Sequence, residues 1–179
     1  MKKLIIGAVV AALILFIWQF LSWAMLNIHG AEFQYSENQD EILECLEGKL
    51  DEGSYFFPNV APGASKEDHE ALRESSLGKP WAHINYHNSL KDNMIINMVR
   101  AFFANIVAAL LLCWILLKIP DLSFKDTIFC TIGVGLIGYI TISYLNSVWF
   151  ETNSLGYLID AIVSWGLVGA WLGWWLRRP

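Results

Sequence analysis

The chain has 179 residues, 55% of them hydrophobic and 16% charged, with a formal net charge of −5 and nine tryptophans. Ordinary soluble domains carry about 25% charged residues, so this composition points to a chain that meets lipid. The acidic balance does not suit nucleic acid, and three scattered cysteines (Cys45, Cys113, Cys130) make neither a disulfide framework nor a zinc-finger pattern.

The first element is an apolar run from Leu4 to Ile28 that contains no charged residue. A bilayer core of about 30 Å requires about 20 helical residues, so residues 1–28 read as a first transmembrane helix. Lys2 and Lys3 in front of it, and Ser22-Trp23-Ala24 near its end, have the outline of a signal peptide. Its apolar length exceeds the usual 7–15 residues of such a segment, which favours an uncleaved anchor.

Residues 29–93 form an acidic extramembrane cap. From His29 to Met94 there are 13 acids against 5 bases, a net charge of −8. Ser36-Glu37-Asn38-Gln39 has the form of a capping box that opens a helix to about Leu50, with Gly53 as its stop. Ser54 to Phe57 reads as a short strand, and Pro58 to Ser65 as a turn. Ser65-Lys66-Glu67-Asp68 opens a second helix through about Ser75, and Trp81 to His87 reads as another strand. The cap is thus expected to be small and α+β, and Cys45 to be a partly buried neighbour of the Leu43–Leu46 stripe.

Three further apolar runs follow, at 94–118, 127–150 and 155–176, with a short loop at 119–126. Backbone amides in lipid must be satisfied within their own segment, so all three read as helices despite their β-branched residues. The fold class is therefore an all-α membrane bundle of four transmembrane helices with a small α+β cap. Lys2, Lys3, Lys118, Lys125, Arg177 and Arg178 all fall on one side of a four-span chain, and the opposite short loop from Glu151 to Ser154 has no base. The bias of basic residues toward the cytoplasm places both termini there, with residues 29–93 outside. Trp171, Trp174 and Trp175 ahead of Arg177 form an interfacial aromatic belt.

Helices in lipid associate through small residues and polar contacts. Gly166, Gly169 and Gly173 share a stripe on the fourth span, opposite Asp160, Ser164 and Trp171, and Gly133, Gly135 and Gly138 permit close approach on the third. Gln19 and Asn105 lie on the small-residue faces of the first and second spans. Arg100 and Asp160 are the ionisable residues within the apolar runs, at matching depth. They invite either a polar site with a proton or ion step, or a structural ion pair with Arg100 free to reach outward.

In the cap, His83 and His87 stand four apart. On a helix this spacing suits a metal; on a strand it leaves His83, Asn85 and His87 on a solvated face. No glycine-rich phosphate loop, nucleophile elbow or Cys-x-x-Cys occurs, so no enzyme class and no cofactor is expected.

Leu15 to Trp23 closing at His29, with Gly53-Ser54-Tyr55-Phe56-Phe57-Pro58 and Gly78-Lys79-Pro80-Trp81-Ala82, resembles an uncharacterised family of bacterial four-helix inner-membrane proteins with an insertion after the first helix. Over the first half of the chain that resemblance implies a bacterial inner-membrane protein and nothing catalytic. Gln19 replaces the small residue that other members carry there. Claudins and quinone-linked thiol oxidases share the four-span outline but need paired external cysteines, which this chain lacks. Three functions follow as expectations: an accessory or interaction subunit that binds another membrane protein or a second copy of itself, a small-solute or ion permease using Arg100, Asp160, Asn105 and Gln19, or an outer-face metal site at His83 and His87.

Overall fold

A computed structural model describes residues 1–178. In chain order the helices are α1 (Lys2–Phe20), α2 (Gln39–Leu46), α3 (Lys66–Ser76), α4 (Met94–Leu116), α5 (Phe124–Gly138), α6 (Leu145–Phe150) and α7 (Leu155–Trp175). Strands β1 (Gly53–Phe57) and β2 (Ala82–Tyr86) complete the set. A wide π turn, Leu21–Met25, prolongs α1, and another, Tyr139–Tyr144, joins α5 to α6. The chain divides into two compact units, one of residues 1–34 together with the chain from Asn93 onward, the other Tyr35–Asp92.

The first unit contains four helices long and apolar enough to cross a membrane: Lys2–Met25, Met94–Leu116, Phe124–Phe150 and Leu155–Trp175, of 24, 23, 27 and 21 residues. At about 1.5 Å per residue, the shortest still spans about 30 Å. The third begins three residues before the apolar run at 127, because Ser123 caps it. Its hydroxyl accepts from the Asp126 amide at 3.1 Å and donates to the Asp126 carboxylate at 2.6 Å.

α1 packs against both α4 and α7, and α7 packs against α5. The seam is made of small residues. Ala8, Ala11 and Ala12 of α1 are buried with Leu15 against Ala109, Leu112, Cys113 and Leu116 of α4 and Val168 and Leu172 of α7. Tryptophans lock the α1–α7 contact, since the Trp171 and Trp175 indoles donate to the backbone carbonyls of Gly7 and Lys3 at 3.0 and 2.8 Å. The Arg178 guanidinium lies 3.4 Å above the Trp174 ring.

Gly169 and Gly173 carry the α5–α7 contact. A Cβ on Gly169 would lie 2.8 Å from the Ile128 Cα, and one on Gly173 would lie 3.0 Å from the Phe124 ring, while at Gly166 the nearest atom, of Ile132, is 3.7 Å away. On α5 only Gly135 is a contact glycine, 2.6 Å from the Ala161 carbonyl by the same measure; Gly133 and Gly138 meet nothing within 4 Å. At about 100° per residue Gly133 lies on the side of α5 away from Gly135, whereas Gly138, three residues on, shares the side of Gly135 and still meets no neighbour within 4 Å.

In the second unit β1 and β2 pair antiparallel, Gly53 opposite Tyr86 and Phe57 opposite Ala82. α3 starts at Ser65 as expected, and it does so on a capping box. The Ser65 hydroxyl accepts from the Asp68 amide, and the Asp68 carboxylate accepts from the Ser65 amide at 3.0 Å. That backbone bond, then the Ser65 hydroxyl, hold the Asp68 carboxyl below its ordinary pKa. α2 differs from expectation. Asn38 is its N-cap, without a side-chain cap bond, and the helix ends at Leu46 rather than Leu50. Gly48 turns to a left-handed φ of 71°, which stops the helix early and frees Gly53 to begin β1. Cys45 is exposed rather than partly buried, its sulfur 3.4 Å from the Lys49 ammonium, because α2 contributes no buried residue.

Candidate functional site

The polar centre of the bundle forms where α1 ends and α7 begins. Asn27 adopts a left-handed φ of 49°, and the Ile28 amide bonds back to the Ser22 carbonyl at 3.1 Å. This reversal brings His29 against the first two turns of α7. A Cβ on Gly156 would lie 2.8 Å from His29 Nδ1, so a side chain there would expel the ring. Trp23 stacks on one imidazole face, with centroids 3.9 Å apart and planes 5° from parallel, and Tyr157 meets the ring edge-on at 4.9 Å. Only 3% of His29 remains exposed.

Both imidazole nitrogens are engaged. Nε2 meets the Asp160 carboxylate at 2.9 Å, and Nδ1 meets that of Glu32. Asp160 is itself fully committed. Its Oδ1 accepts from the Trp18 indole at 2.8 Å and from the Ser22 hydroxyl at 2.6 Å, while Oδ2 faces His29. Burial alone would lower the pKa of His29, but the hydrogen bonds to Glu32 and Asp160, reinforced by their charges, raise it above the ordinary histidine value. An imidazolium with two donors matches two acceptor carboxylates; a neutral ring would offer one donor only. The arrangement ties the end of α1 to the start of α7.

The structure separates residues that the sequence suggested together. Asp160 does not pair with Arg100. Its carboxylate faces Trp18 and Ser22 of α1, whereas Arg100 lies on the exposed first turns of α4 and makes no ion pair among the described residues. Equal depth is insufficient when each helix turns its residue toward a different neighbour. Asn105 donates to Gln19 at 2.9 Å across the α1–α4 seam, and the Ser164 hydroxyl bonds back to the Asp160 carbonyl at 2.6 Å. No buried side-chain nitrogen or oxygen among the described residues lacks a hydrogen-bond partner.

His83 lies on β2 opposite Phe56, and His87 lies one residue beyond the strand. No group of three or more histidine, cysteine, aspartate or glutamate side chains suited to a metal occurs among the described residues. The triad at His29 has one carboxylate at each ring nitrogen, on opposite edges, and so lacks a common centre. Sequence reasoning grouped His29 with the cap. The signal that could have moved it was the spacing of Trp18 and Ser22, one turn apart on α1, and of Gly156 and Asp160 on α7.

The chain matches no family model, no curated protein and no solved structure, which leaves geometry as the ground for assigning a function.

Proposed function

We propose that the protein is a multi-pass membrane protein without catalytic activity, acting as an interaction subunit. Its four long helices anchor residues 29–93 at the extracytoplasmic face of a bacterial inner membrane, with both termini cytoplasmic. The one-sided distribution of Lys2, Lys3, Lys118, Lys125, Arg177 and Arg178 supports that orientation.

One observation carries the interaction reading: between Tyr35 and Asp92, Tyr86 is the only buried residue. An isolated two-stranded hairpin is marginal in water, and so is a unit this small. Yet this unit leaves Leu43 58% exposed, Phe56 42% and Trp81 41%. Lipid accounts for apolar side chains on membrane-spanning helices, but an extramembrane segment has no such solvent. Apolar side chains gathered on so small a unit are the mark of a surface that another protein covers.

The permease alternative loses support because its polar residues are consumed in separate pairs, Asn105 with Gln19 and Asp160 with His29, Trp18 and Ser22. Extraction from the native membrane in mild detergent, with photo-crosslinkers at Leu43 and Phe56, tests the proposal. The expected result is a complex heavier than the monomer, cross-linked through residues 35–92. A lone monomer with no cross-linked product would refute it.

A further inference from the structure

Within the unit Tyr35–Asp92, the hairpin end and one face of α3 enclose a cleft of about 350 Å³. Phe56 and Trp81 form its floor, their rings stacked with centroids 5.4 Å apart. Leu72 continues the apolar surface, and His69, Arg73 and Lys79 stand at its rim. No carboxylate is among the residues that line it.

That absence is informative because the segment from His29 to Met94 holds 13 acids and only 5 bases. α3 sorts its charges by face. His69, Leu72, Arg73 and Ser76 recur at three- and four-residue spacing and line the cleft, while Glu67, Glu70 and Glu74 follow the same spacing on the opposite face. Two of the five bases thus border the Phe56–Trp81 platform, and no acid lines its cleft.

The geometry points to a docking site for an extended acidic peptide segment of a partner protein: an apolar or proline side chain lies on the Phe56–Trp81 platform and flanking carboxylates meet Arg73 and Lys79. This deepens the interaction reading and rests on it. A sugar ligand would need amide and carboxylate groups around the rings, and the cleft offers chiefly Asn59 and Ser76. Aromatic-lined grooves hold proline-containing extended segments, and clustered arginines hold acidic motifs; this cleft places an aromatic pair beside Arg73 and Lys79.

The test uses the full chain in detergent micelles and three probes: a Pro-Leu peptide flanked by aspartate and glutamate, the same peptide flanked by lysine, and oligogalacturonate. The acidic peptide is expected to bind at least tenfold more tightly than the basic one, and less tightly as salt rises. The double variant Arg73→Glu with Lys79→Glu, both exposed positions that folding tolerates, should weaken binding by about tenfold. Lys49→Glu with Lys91→Glu should leave it unchanged, and Trp81→Ala should abolish it with the circular dichroism preserved. Equal binding of both peptides, an equal loss in the Lys49/Lys91 variant, or binding of oligogalacturonate alone would overturn the assignment. If a partner is still captured from the native membrane by the Arg73/Lys79 variant, the cleft fails while the interaction reading stands; if no partner is captured by the natural chain, that reading fails whatever the peptides do.

Discussion

The bundle and the segment Tyr35–Asp92 handle polar and apolar groups in opposite ways. In the bundle, buried polar side chains find partners across helix seams: His29 between Glu32 and Asp160, Asn105 on Gln19, and Trp171 and Trp175 on the α1 backbone. Its four long helices are apolar enough to cross a membrane and leave many large apolar side chains exposed. In the segment, polar groups bond in caps and between the paired strands at exposed sites, while Phe56 and Trp81 stay about two-fifths exposed and Leu77 71%. One unit buries a core of its own among four long apolar helices; the other has a single buried residue and leaves apolar side chains exposed. The contrast separates residues whose loss damages the fold from residues whose loss damages association.

The sharpest break is Asp160→Ala, which leaves His29, Trp18 and Ser22 without their shared acceptor. Removing one member of a buried ion pair costs about 3–5 kcal/mol, so the variant should fail to accumulate or unfold well below the parent in a detergent thermal assay. Gly169→Val should cost about 1–3 kcal/mol in the same assay, because its side chain drives into the Ile128 backbone.

A pH series tests the histidine clamp. The folded pKa of His29 is raised, so the native state holds its proton more tightly than the unfolded chain does. The resulting stability is fully present below the unfolded value of about 6.5 and is lost as pH rises through the higher folded value. The parent should therefore lose thermal stability above about pH 6.5, and His29→Gln should show a flatter profile. A parent whose stability does not fall above that pH would show that the clamp contributes nothing. Asn105→Leu should cost only about 0.6 kcal/mol, the usual worth of a hydrogen bond between membrane helices. Leu77→Ser should change stability by no more than about 0.5 kcal/mol while reducing partner retention, the smallest effect on the fold and an informative one on association.

Sequence revealed most where a single physical rule dominates. The four apolar runs predicted four long helices within a few residues of their ends, because length and hydropathy alone decide them. The helix start at Ser65 and the two short strands were also legible, since polar helix starts and β-rich composition act locally, whereas the capping box expected at Ser36 forms at Ser65 instead. What stayed hidden depends on which way a helix turns. Arg100 and Asp160, expected at one depth, face different neighbours, and His29 enters the bundle only because Asn27 reverses the chain and Gly156 makes room. Of the three α5 glycines, Gly133 turns away from Gly135, and Gly138 shares its side yet meets no neighbour within 4 Å, which only the packed helices reveal. The Phe56–Trp81 cleft joins residues 25 apart that no local pattern connects.

Hydrogen–deuterium exchange on the full chain, compared between purified protein in detergent and protein extracted under native conditions, tests the central contrast directly. Amides of α1, α5, α7 and the second half of α4 should exchange slowly in both samples, while residues 35–92 should exchange quickly in the purified chain and become protected in the native extract. Full protection of residues 35–92 in the purified monomer would contradict that contrast.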